Sequence, residues 1–202
     1  MNRRKALKTL MTIGAIAVIP KTFIANSTAE IQPHFIGLGN SGSNILKYFL
    51  KQNATAKFTC LTTTPPRMQE SEIKYIHIPY IGNKNENAKL NIPAEVYDML
   101  EANDKFVLLA GLGGFSGSSL ARELAIRLHS LNKDVQTICS LPYKFEGRKR
   151  RKEALNTLNT IRHLPKVKYL ELDHLRQKYT DLVLSNCFDR GNREFWEVYQ
   201  KC

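Results

Sequence analysis

The amino-acid sequence predicts an α/β fold: a Rossmann-like parallel sheet with helices on both of its faces. From residue 31 onwards, apolar runs of strand length alternate with amphipathic stretches of helix length, a pattern typical of parallel sheets with helical crossovers. Two of the apolar runs lead straight into glycine-rich turns. The chain has 202 residues, of which 43% are hydrophobic, so it is long enough for one domain with a substantial core.

The predicted elements alternate along the chain, and the sequence contains no internal repeat. In the first predicted helix, Ile45, Leu46, Phe49 and Leu50 share one face, as expected of a helix that packs on a sheet. The polar, asparagine-rich stretch 82–91 predicts a loop. The apolar patterns predict strands at 31–39, 57–64, 73–79, 104–114, 135–143 and 168–173, and helices at 43–52, 92–102, 118–131, 147–164 and 189–201.

The chain is strongly basic, because 30 Lys and Arg residues face 18 Asp and Glu residues, a net charge of +12. This charge favours an anionic partner such as a nucleotide, nucleic acid or an acidic membrane face, although a basic soluble surface explains it as well. The four cysteines form no CxxC pair and the five histidines show no ligand spacing, so no metal site or disulfide framework is predicted. Cys60 and Cys139 lie in strand-like runs and are expected to be buried.

Residues 1–29 have the layout of an export signal and precede a domain at 30–202. Arg3 and Arg4 stand before a short apolar stretch at 10–19, and a segment of small polar residues follows. The paired arginines resemble a twin-arginine signal, which predicts a periplasmic or inner-membrane-associated protein. An amphipathic helix lying on the domain or on a membrane, in a cytoplasmic protein, is the alternative.

The first glycine-rich turn, residues 37–44, reads GLGNSGSN between a predicted strand and a helix. Small residues let a backbone approach a phosphate closely, and the helix start offers free N–H groups. The turn also matches the GxGxxG motif of dinucleotide-binding proteins. That motif requires an acid at the end of the second strand, where this chain has Thr62, Thr63 and Thr64. Tight packing between strand and helix, without a ligand, is the structural alternative.

The second glycine-rich turn, residues 111–119, reads GLGGFSGSS and also joins a buried strand to a helix. Two such turns at neighbouring strand ends predict a mononucleotide held between them by its phosphates. A third element, residues 145–151, reads FEGRKRR and begins the next helix. Glu146 in its first turn could accept hydrogen bonds from ribose hydroxyls, and Arg150 could reach phosphate. A solvated basic helix face is the alternative.

Together these three elements resemble FtsZ, the bacterial homologue of tubulin. Its G-G-G-G-G-N turn corresponds to residues 39–44, its signature G-G-G-T-G-T-G to 113–119, and its motif P-F-N-F-E-G-K-K-R to 142–150. The order and spacing of the motifs make the resemblance specific over about residues 31–200. It implies the fold of the N-terminal GTPase domain of FtsZ and tubulin, and a bound GTP or GDP with Mg²⁺ as an optional companion.

The resemblance also implies which residues bind the nucleotide. The two turns would cradle the phosphates, so a bulky residue at Gly42 is expected to fill the phosphate site. Glu146 and Arg150 would contact ribose and phosphate, Phe188 would stack on guanine, and Asn192 would hydrogen-bond the base. An ordinary core aromatic is the alternative for Phe188. The predicted nucleotide-binding set, with no catalytic or metal-binding members, is Gly39, Asn40, Ser41, Gly42, Ser43, Asn44, Gly113, Gly114, Phe115, Ser116, Gly117, Ser118, Glu146, Arg150, Phe188 and Asn192.

Several residues depart from the family pattern. Phe115 replaces a glycine and is expected to crowd the terminal phosphate, the threonines at 62–64 replace N-T-D, and Arg193 replaces an Asp. The family's third phosphate loop has no glycine-rich counterpart in 82–91. The 202-residue sequence does not reach the family's synergy loop or C-terminal domain, so we expect neither self-sufficient GTP hydrolysis nor FtsZ-like filaments.

Three functional hypotheses remain open. The first is a GTP- or GDP-binding FtsZ-like protein without self-sufficient hydrolysis, whose partners would be guanine nucleotide and a longer FtsZ-like or other protein. The second is a pseudo-GTPase interaction module that no longer binds nucleotide. The third, a dinucleotide oxidoreductase, is disfavoured by the missing acid. No specific nucleic acid is predicted. Export would conflict with GTP binding, because GTP is not expected outside the cytoplasm.

Overall fold

The computed structural model describes residues 32–53, 55–64, 69–82 and 88–201, and it confirms the predicted α/β fold. The strands are β1 (His34–Leu38), β2 (Lys57–Thr62), β3 (Ile73–His77), β4 (Tyr80–Ile81), β5 (Lys89–Leu90), β6 (Lys105–Gly111), β7 (Asp134–Leu141) and β8 (Val167–Glu171). The helices are α1 (Gly39–Gln52), α2 (Ala94–Glu101), α3 (Phe115–Ser130), α4 (Arg148–Ile161), α5 (Leu175–Lys178) and α6 (Cys187–Gln200).

Six of the strands form one parallel sheet in the order β3-β2-β1-β6-β7-β8. The chain runs outwards from β1 to β3, returns to the centre at β6 and runs outwards again to β8. The direction of winding therefore reverses between β1 and β6. Open α/β sheets bind ligands in the crevice at the carboxyl ends of the two strands that flank such a reversal. In this chain those ends are Leu38 and Gly111.

The central strands β1 and β6 are buried on both faces, which explains why they are almost entirely apolar. On one face, residues such as Ile36 and Leu108 pack with Leu120 of α3. On the other face, their sequence neighbours such as Leu109 pack with Phe49 of α1 and with Phe195 of α6. Successive strand residues point to opposite faces, so each central strand contributes to both hydrophobic clusters.

Helix starts differ from the sequence prediction. The helices α1 and α3 begin inside the glycine-rich turns, at Gly39 and Phe115, because the small residues of the turns form the first helical turns against the sheet. The helix α4 begins later than predicted. A short 3₁₀ turn at Lys144–Glu146 precedes it, followed by Gly147 with a φ of 103°. Glu146 therefore lies just before α4, and the prediction that placed it in the first turn of that helix is wrong.

The stretch predicted as a loop at 82–91 contains part of a hairpin. β4 and β5 pair antiparallel, with Tyr80 opposite Leu90 and Ile81 opposite Lys89. Strands of two residues are too short to show a hydrophobic period, so the sequence gives no sign of them. Residues 83–87, between these strands, lie outside the described residues.

The two cysteines in strand-like runs test one further expectation from the sequence. Cys60 and Cys139 are buried as expected, and burial raises the pKa of each thiol to about 12. In the described part of the chain, no helix is both long and apolar enough to cross a membrane. The described ranges also hold no group of three His, Cys, Asp or Glu side chains that could bind a metal ion. The predicted targeting segment, residues 1–29, lies outside what the structure describes.

Candidate functional site

A cavity of about 250 Å³ opens at the carboxyl edge of the sheet, where the winding reverses between β1 and β6. Its walls come from the start of α1, the ends of β6 and β7, the segment that leads into α4, the segment after β8, and the first turns of α6. The lining residues are Asn40, Ser41, Asn44, Ile45, Gly111, Leu112, Ser140, Pro142, Glu146, Arg150, Leu172, Phe188, Gly191, Asn192 and Phe195.

The start of α1 presents its polar residues to the cavity and its smallest residues to the sheet. Asn40, Ser41 and Asn44 are exposed and line the cavity, whereas Gly42 and Ser43 are buried. This division follows from the helical period, which places residues three and four apart on one face. Polar residues therefore occur in this turn at the positions that face the cavity, and small residues occur where the helix packs against the sheet.

The glycines of the two turns allow backbones to approach closely. A Cβ on Gly42 would lie 2.6 Å from the carbonyl carbon of Gly37 and 2.9 Å from the carbonyl oxygen of Leu109. A bulky residue there would therefore strike β1 and β6 instead of filling a phosphate site, and that prediction is wrong in its mechanism. Gly39, with a φ of 71°, lies where the first turn meets the second, since a Cβ on it would lie 3.0 Å from the Gly117 nitrogen.

Both helices that follow the glycine-rich turns begin without a cap. α1 follows Leu38 and α3 follows Gly114, and neither of those residues makes a side-chain capping hydrogen bond. No acidic residue lies in the first turn of either helix. The first N–H groups of a helix lack partners within it and carry a partial positive charge. The start of α1 borders the cavity and gives it a local preference for an anion, whereas the start of α3 stands outside the lining.

One predicted phosphate ligand, Ser118, makes a hydrogen bond within the second turn. Ser118 is 3% exposed, and its hydroxyl accepts a hydrogen bond of 2.8 Å from the N–H of Gly113. This contact closes the second turn on itself. Gly113 also passes close to α4, since a Cβ on it would lie 2.6 Å from the carbonyl oxygen of Arg150. The second turn is therefore wedged between α3 and the start of α4.

Glu146 and Arg150 form an ion pair at the mouth of the cavity. One carboxylate oxygen of Glu146 accepts from an Arg150 guanidinium N–H at 2.6 Å, and the other accepts from the Tyr143 N–H at 3.0 Å. Glu146 thereby caps the 3₁₀ turn, a role that the sequence did not indicate. The Arg150 side chain remains 55% exposed, so its other N–H donors stay available at the cavity mouth.

Aromatic side chains border the α6 end of the cavity. The Phe188 ring is 51% exposed and meets the Tyr143 ring edge-on, with 5.9 Å between centroids. Phe188 is therefore not an ordinary core aromatic. The Tyr143 hydroxyl is buried and donates to the Cys187 carbonyl oxygen at 2.8 Å, and burial is the main cause of its raised pKa. This bond holds the first residue of α6, and hence Phe188, beside the cavity.

On the other side of the first turn, threonines at the end of β2 contact both glycine-rich turns. The Thr62 hydroxyl donates to the Asn40 side-chain oxygen at 3.0 Å, and the hydroxyls of Thr63 and Ser116 are 2.5 Å apart. Next to them the Phe115 ring packs edge-on against Tyr80, with 5.7 Å between centroids. These contacts join the two turns to the strand region β2–β4.

Comparison with known proteins places this geometry in a known fold. No family model matches the chain. The cell division protein FtsZ of Mycoplasmopsis pulmonis (strain UAB CTIP) is 22% identical over 176 residues, which cover 80% of this chain and 44% of that protein. An FtsZ dimer of M. jannaschii, described as empty, superposes with a TM-score of 0.65 at 18% identity, covering 81% of this chain and 52% of that one. CetZ2 of Haloferax volcanii, in a GTPγS-bound protofilament, superposes with a TM-score of 0.61 at 21% identity, covering 81% of this chain and 55% of the CetZ2 chain.

The chain has the FtsZ-like fold. TubZ of Clostridium botulinum phage c-st superposes with a TM-score of 0.61 at 16% identity, and the match covers 83% of this chain and 57% of the TubZ chain. This superposition supports the same fold. The sequence-based resemblance to FtsZ and tubulin is thus confirmed at the level of the fold. The chain spans about half the length of the relatives that it matches.

The cavity of this FtsZ-like domain brings together some of the predicted nucleotide-binding residues and leaves others outside. Those that line it come from the first turn, the α4 entrance and α6: Asn40, Ser41, Asn44, Glu146, Arg150, Phe188 and Asn192. Those that do not line it are Gly39, Gly42, Ser43, Gly113, Gly114, Phe115, Ser116, Gly117 and Ser118. The second turn therefore contributes to the cavity only through Gly111 and Leu112. The binding roles of all sixteen remain predictions.

Sequence reasoning missed several lining residues, and some of them carry a recognisable signal. Gly111, Ser140 and Pro142 lie at the carboxyl ends of β6 and β7, where ligands of parallel sheets bind. Their position at strand ends is a signal for these residues that the sequence itself contains. Leu172 and Gly191 meet at the cavity through tertiary packing, since a Cβ on Gly191 would lie 3.4 Å from the Leu172 side chain. No local pattern predicts that contact.

Proposed function

We propose that this FtsZ-like domain binds a guanine nucleotide, GDP or GTP, in the cavity at the winding reversal. The observation that carries the proposal is the convergence on one cavity of an uncapped α1 start, the Glu146–Arg150 pair, and Phe188 with Asn192. These elements are far apart in the sequence and supply, in order, groups suited to phosphate, ribose and base. A cavity formed by chance packing would not be expected to combine all three.

The phosphates would lie on the first turn of α1. The exposed side chains of Asn40, Ser41 and Asn44 and the free N–H groups of the helix start face the cavity there. Arg150 adds a guanidinium at the cavity mouth. Guanidinium groups and helix N-termini are the usual partners of phosphate in proteins, and they also suit the net charge of +12.

The base would lie between Phe188 and Asn192 on α6. A half-exposed aromatic ring can stack on a base, and an amide side chain can both donate to and accept from the base edge. Arg193, which follows Asn192, donates to Glu197 at 3.0 Å and does not line the cavity. Because Asn192 alone would contact the base edge from α6, we expect the preference for guanine over adenine to be modest.

We further propose that the domain does not hydrolyse GTP without help. Glu146 is the single acid among the described residues that line the cavity, and it pairs with Arg150 and would contact the ribose instead of water. Hydrolysis needs a positioned group that orients or activates water. A companion Mg²⁺ would take its ligands from phosphate oxygens, hydroxyls and water, which suits that ion.

The test is to purify the full chain, denature it, and separate any released nucleotide by chromatography. Titration of nucleotide-free protein with GDP, GTP and ATP by calorimetry gives the affinities. We expect guanine nucleotide to be released or bound, with ATP binding more weakly. Protein that releases no nucleotide and gives no binding heat with GDP or GTP would contradict the proposal.

The second candidate function is an interaction module that no longer binds nucleotide. The contacts that favour it are the Thr62–Asn40 and Thr63–Ser116 hydrogen bonds, which occupy polar groups of both turns with protein partners. The calorimetric titration separates the two candidates. Such a module would keep its fold and its thermal unfolding midpoint unchanged in the presence of millimolar GDP or GTP.

A further inference from the structure

Among the described residues, the lining of the cavity stops short of β2. The first turn lines it through Asn40, Ser41 and Asn44, and the second turn only through Gly111 and Leu112. The residues that continue the second turn, 113–118, stand outside the lining. Its volume of about 250 Å³ lies just below the ~300–1,000 Å³ that is typical of ligand sites. Space for phosphates is therefore limited beyond the start of α1.

Polar contacts occupy the space between the cavity and β2. Thr62 donates to the Asn40 side-chain oxygen at 3.0 Å, and Thr63 and Ser116 share a hydrogen bond of 2.5 Å. Thr62 and Thr63 are 2% and 7% exposed. A phosphate that entered here would have to break these bonds, and burying polar groups without partners costs free energy. These hydroxyls therefore tie the end of β2 to both glycine-rich turns.

Phe115 covers the same side with an apolar ring. As the first residue of α3 it carries one of the free N–H groups of that helix start. Its ring is half-buried and packs edge-on on Tyr80 of β4. The ring therefore stands beside the donor that a further phosphate would use. Placing a doubly charged phosphate against two aromatic rings removes water from the charge without supplying a counter-charge, which is unfavourable.

We propose that the site selects a nucleoside diphosphate over the triphosphate, and that Phe115, held by Tyr80, is the residue that sets this limit. The inference rests on the proposed nucleotide binding and narrows its ligand class. A diphosphate reaches the α1 start and Arg150 without crossing the Thr63–Ser116 contact. A third phosphate meets that contact and the Phe115 ring. The expected preference of the wild-type chain is at least roughly tenfold for GDP, equivalent to about 1.4 kcal/mol.

The test measures the dissociation constants of GDP and GTP by calorimetry, in one Mg²⁺ buffer, for the wild type and three variants. Phe115→Gly removes the ring, and Phe115→Ala does the same without adding a flexible residue at the helix start. Ile126→Ala is the matched control, because Ile126 is 43% exposed on the same helix and outside the cavity. Circular dichroism confirms that each variant is folded.

We expect both Phe115 variants to bind GTP more tightly, so that the ratio of the GTP and GDP constants falls to within about twofold, with GDP binding nearly unchanged. Ile126→Ala should keep the wild-type ratio. Equal or tighter GTP binding by the wild type, or an unchanged ratio in both Phe115 variants, overturns this inference while leaving nucleotide binding standing. Absence of binding for both nucleotides in wild type and variants overturns the proposed function with it.

Discussion

Two phenylalanines flank the Tyr143 ring, and only one of them borders the cavity. Phe145 stacks on Tyr143 with 5.0 Å between centroids, Phe188 meets it edge-on at 5.9 Å, and both are 51% exposed. Stacking of a base on an aromatic ring contributes ~1–3 kcal/mol. Phe188→Ala should therefore weaken GDP binding about tenfold in a fluorescence or calorimetric titration. Phe145→Ala, an equally exposed truncation, should leave the affinity as it is. Equal losses in both variants would contradict the placement of the base.

His34 at the start of β1 links stability to pH. Its Nε2 hydrogen-bonds the Thr59 hydroxyl at 2.8 Å, and burial, followed by the charges of Lys57 and Lys74, lowers its pKa from 6.5 to about 4. Between these values the unfolded chain binds more protons than the folded one. The contribution of neutral His34 to the free energy of unfolding is therefore fully present above pH 6.5 and is lost as the pH falls towards 4. The loss is at most about 3 kcal/mol.

His34→Gln tests this linkage because glutamine keeps a hydrogen-bonding side chain without titrating in this range. Urea unfolding at a series of pH values between 7 and 4 should show a shallower decline for the variant than for the wild type. His163→Gln changes an exposed histidine at the end of α4 and serves as the control. A wild-type decline that survives unchanged in His34→Gln would assign the pH dependence to other groups.

At the scale of elements, the turn between β1 and α1 depends on backbone contact. A Cβ on Gly42 would lie 2.6 Å from Gly37, so Gly42→Ala should destabilise the domain by about 1–3 kcal/mol or more. Gly191→Ala is the matched control, since its Cβ would meet only the Leu172 side chain at 3.4 Å. Within α6 that change should be neutral or stabilise by up to about 1 kcal/mol. Chemical denaturation measures both, and a Gly42→Ala variant as stable as the wild type would refute the packing argument.

The sequence predicted the order of these elements well, because strand and helix patterns are local. Apolar runs such as 104–114 mark strands that are buried on both faces, and their ends at glycine-rich turns locate the edge where the cavity opens. The sequence could not show which residues of the first turn pack against backbone and which face the cavity. Gly42 packs against β1 and β6, whereas Asn40, two residues earlier, faces the cavity. The helix start at Gly39 sets this division. The β4–β5 hairpin and the cap formed by Glu146 depend on tertiary contacts that leave no periodic signal.

At the scale of the whole molecule, the cellular location of the protein determines whether it meets GTP. We propose that residues 1–29 direct export or membrane association, on the strength of Arg3 and Arg4 before an apolar stretch. Replacing both arginines by lysine should retain the protein in the cytoplasm, as measured by fractionation and N-terminal sequencing. Wild-type protein found in the cytoplasm with an intact N-terminus would contradict this. Exported protein would meet little GTP, which would favour the interaction-module alternative.

Self-association of the protein could affect hydrolysis, because a second copy could complete the candidate site. Relatives of the same fold have been captured as an FtsZ dimer and as a CetZ2 protofilament with bound GTPγS, so copies of this chain or a longer FtsZ-like protein are the partners to test. Within one copy, Glu146 is the single acid among the described lining residues. It is engaged by Arg150 and by the backbone of Tyr143. With Glu146 assigned to the ribose, that lining holds no second carboxylate to orient a water molecule beside a terminal phosphate.

We accordingly expect the purified 202-residue chain to release no more phosphate from GTP than a buffer blank does. Phosphate release and light scattering should be followed together over a wide range of protein concentration, because an active site completed by a second copy would make the rate per molecule rise with concentration. Glu146→Gln provides the internal comparison: it should alter nucleotide affinity through the Arg150 pair without changing the background rate. Concentration-dependent turnover that accompanies polymer formation, and that persists in Glu146→Gln, would show that another copy supplies the missing group and that the chain is self-sufficient as an assembly.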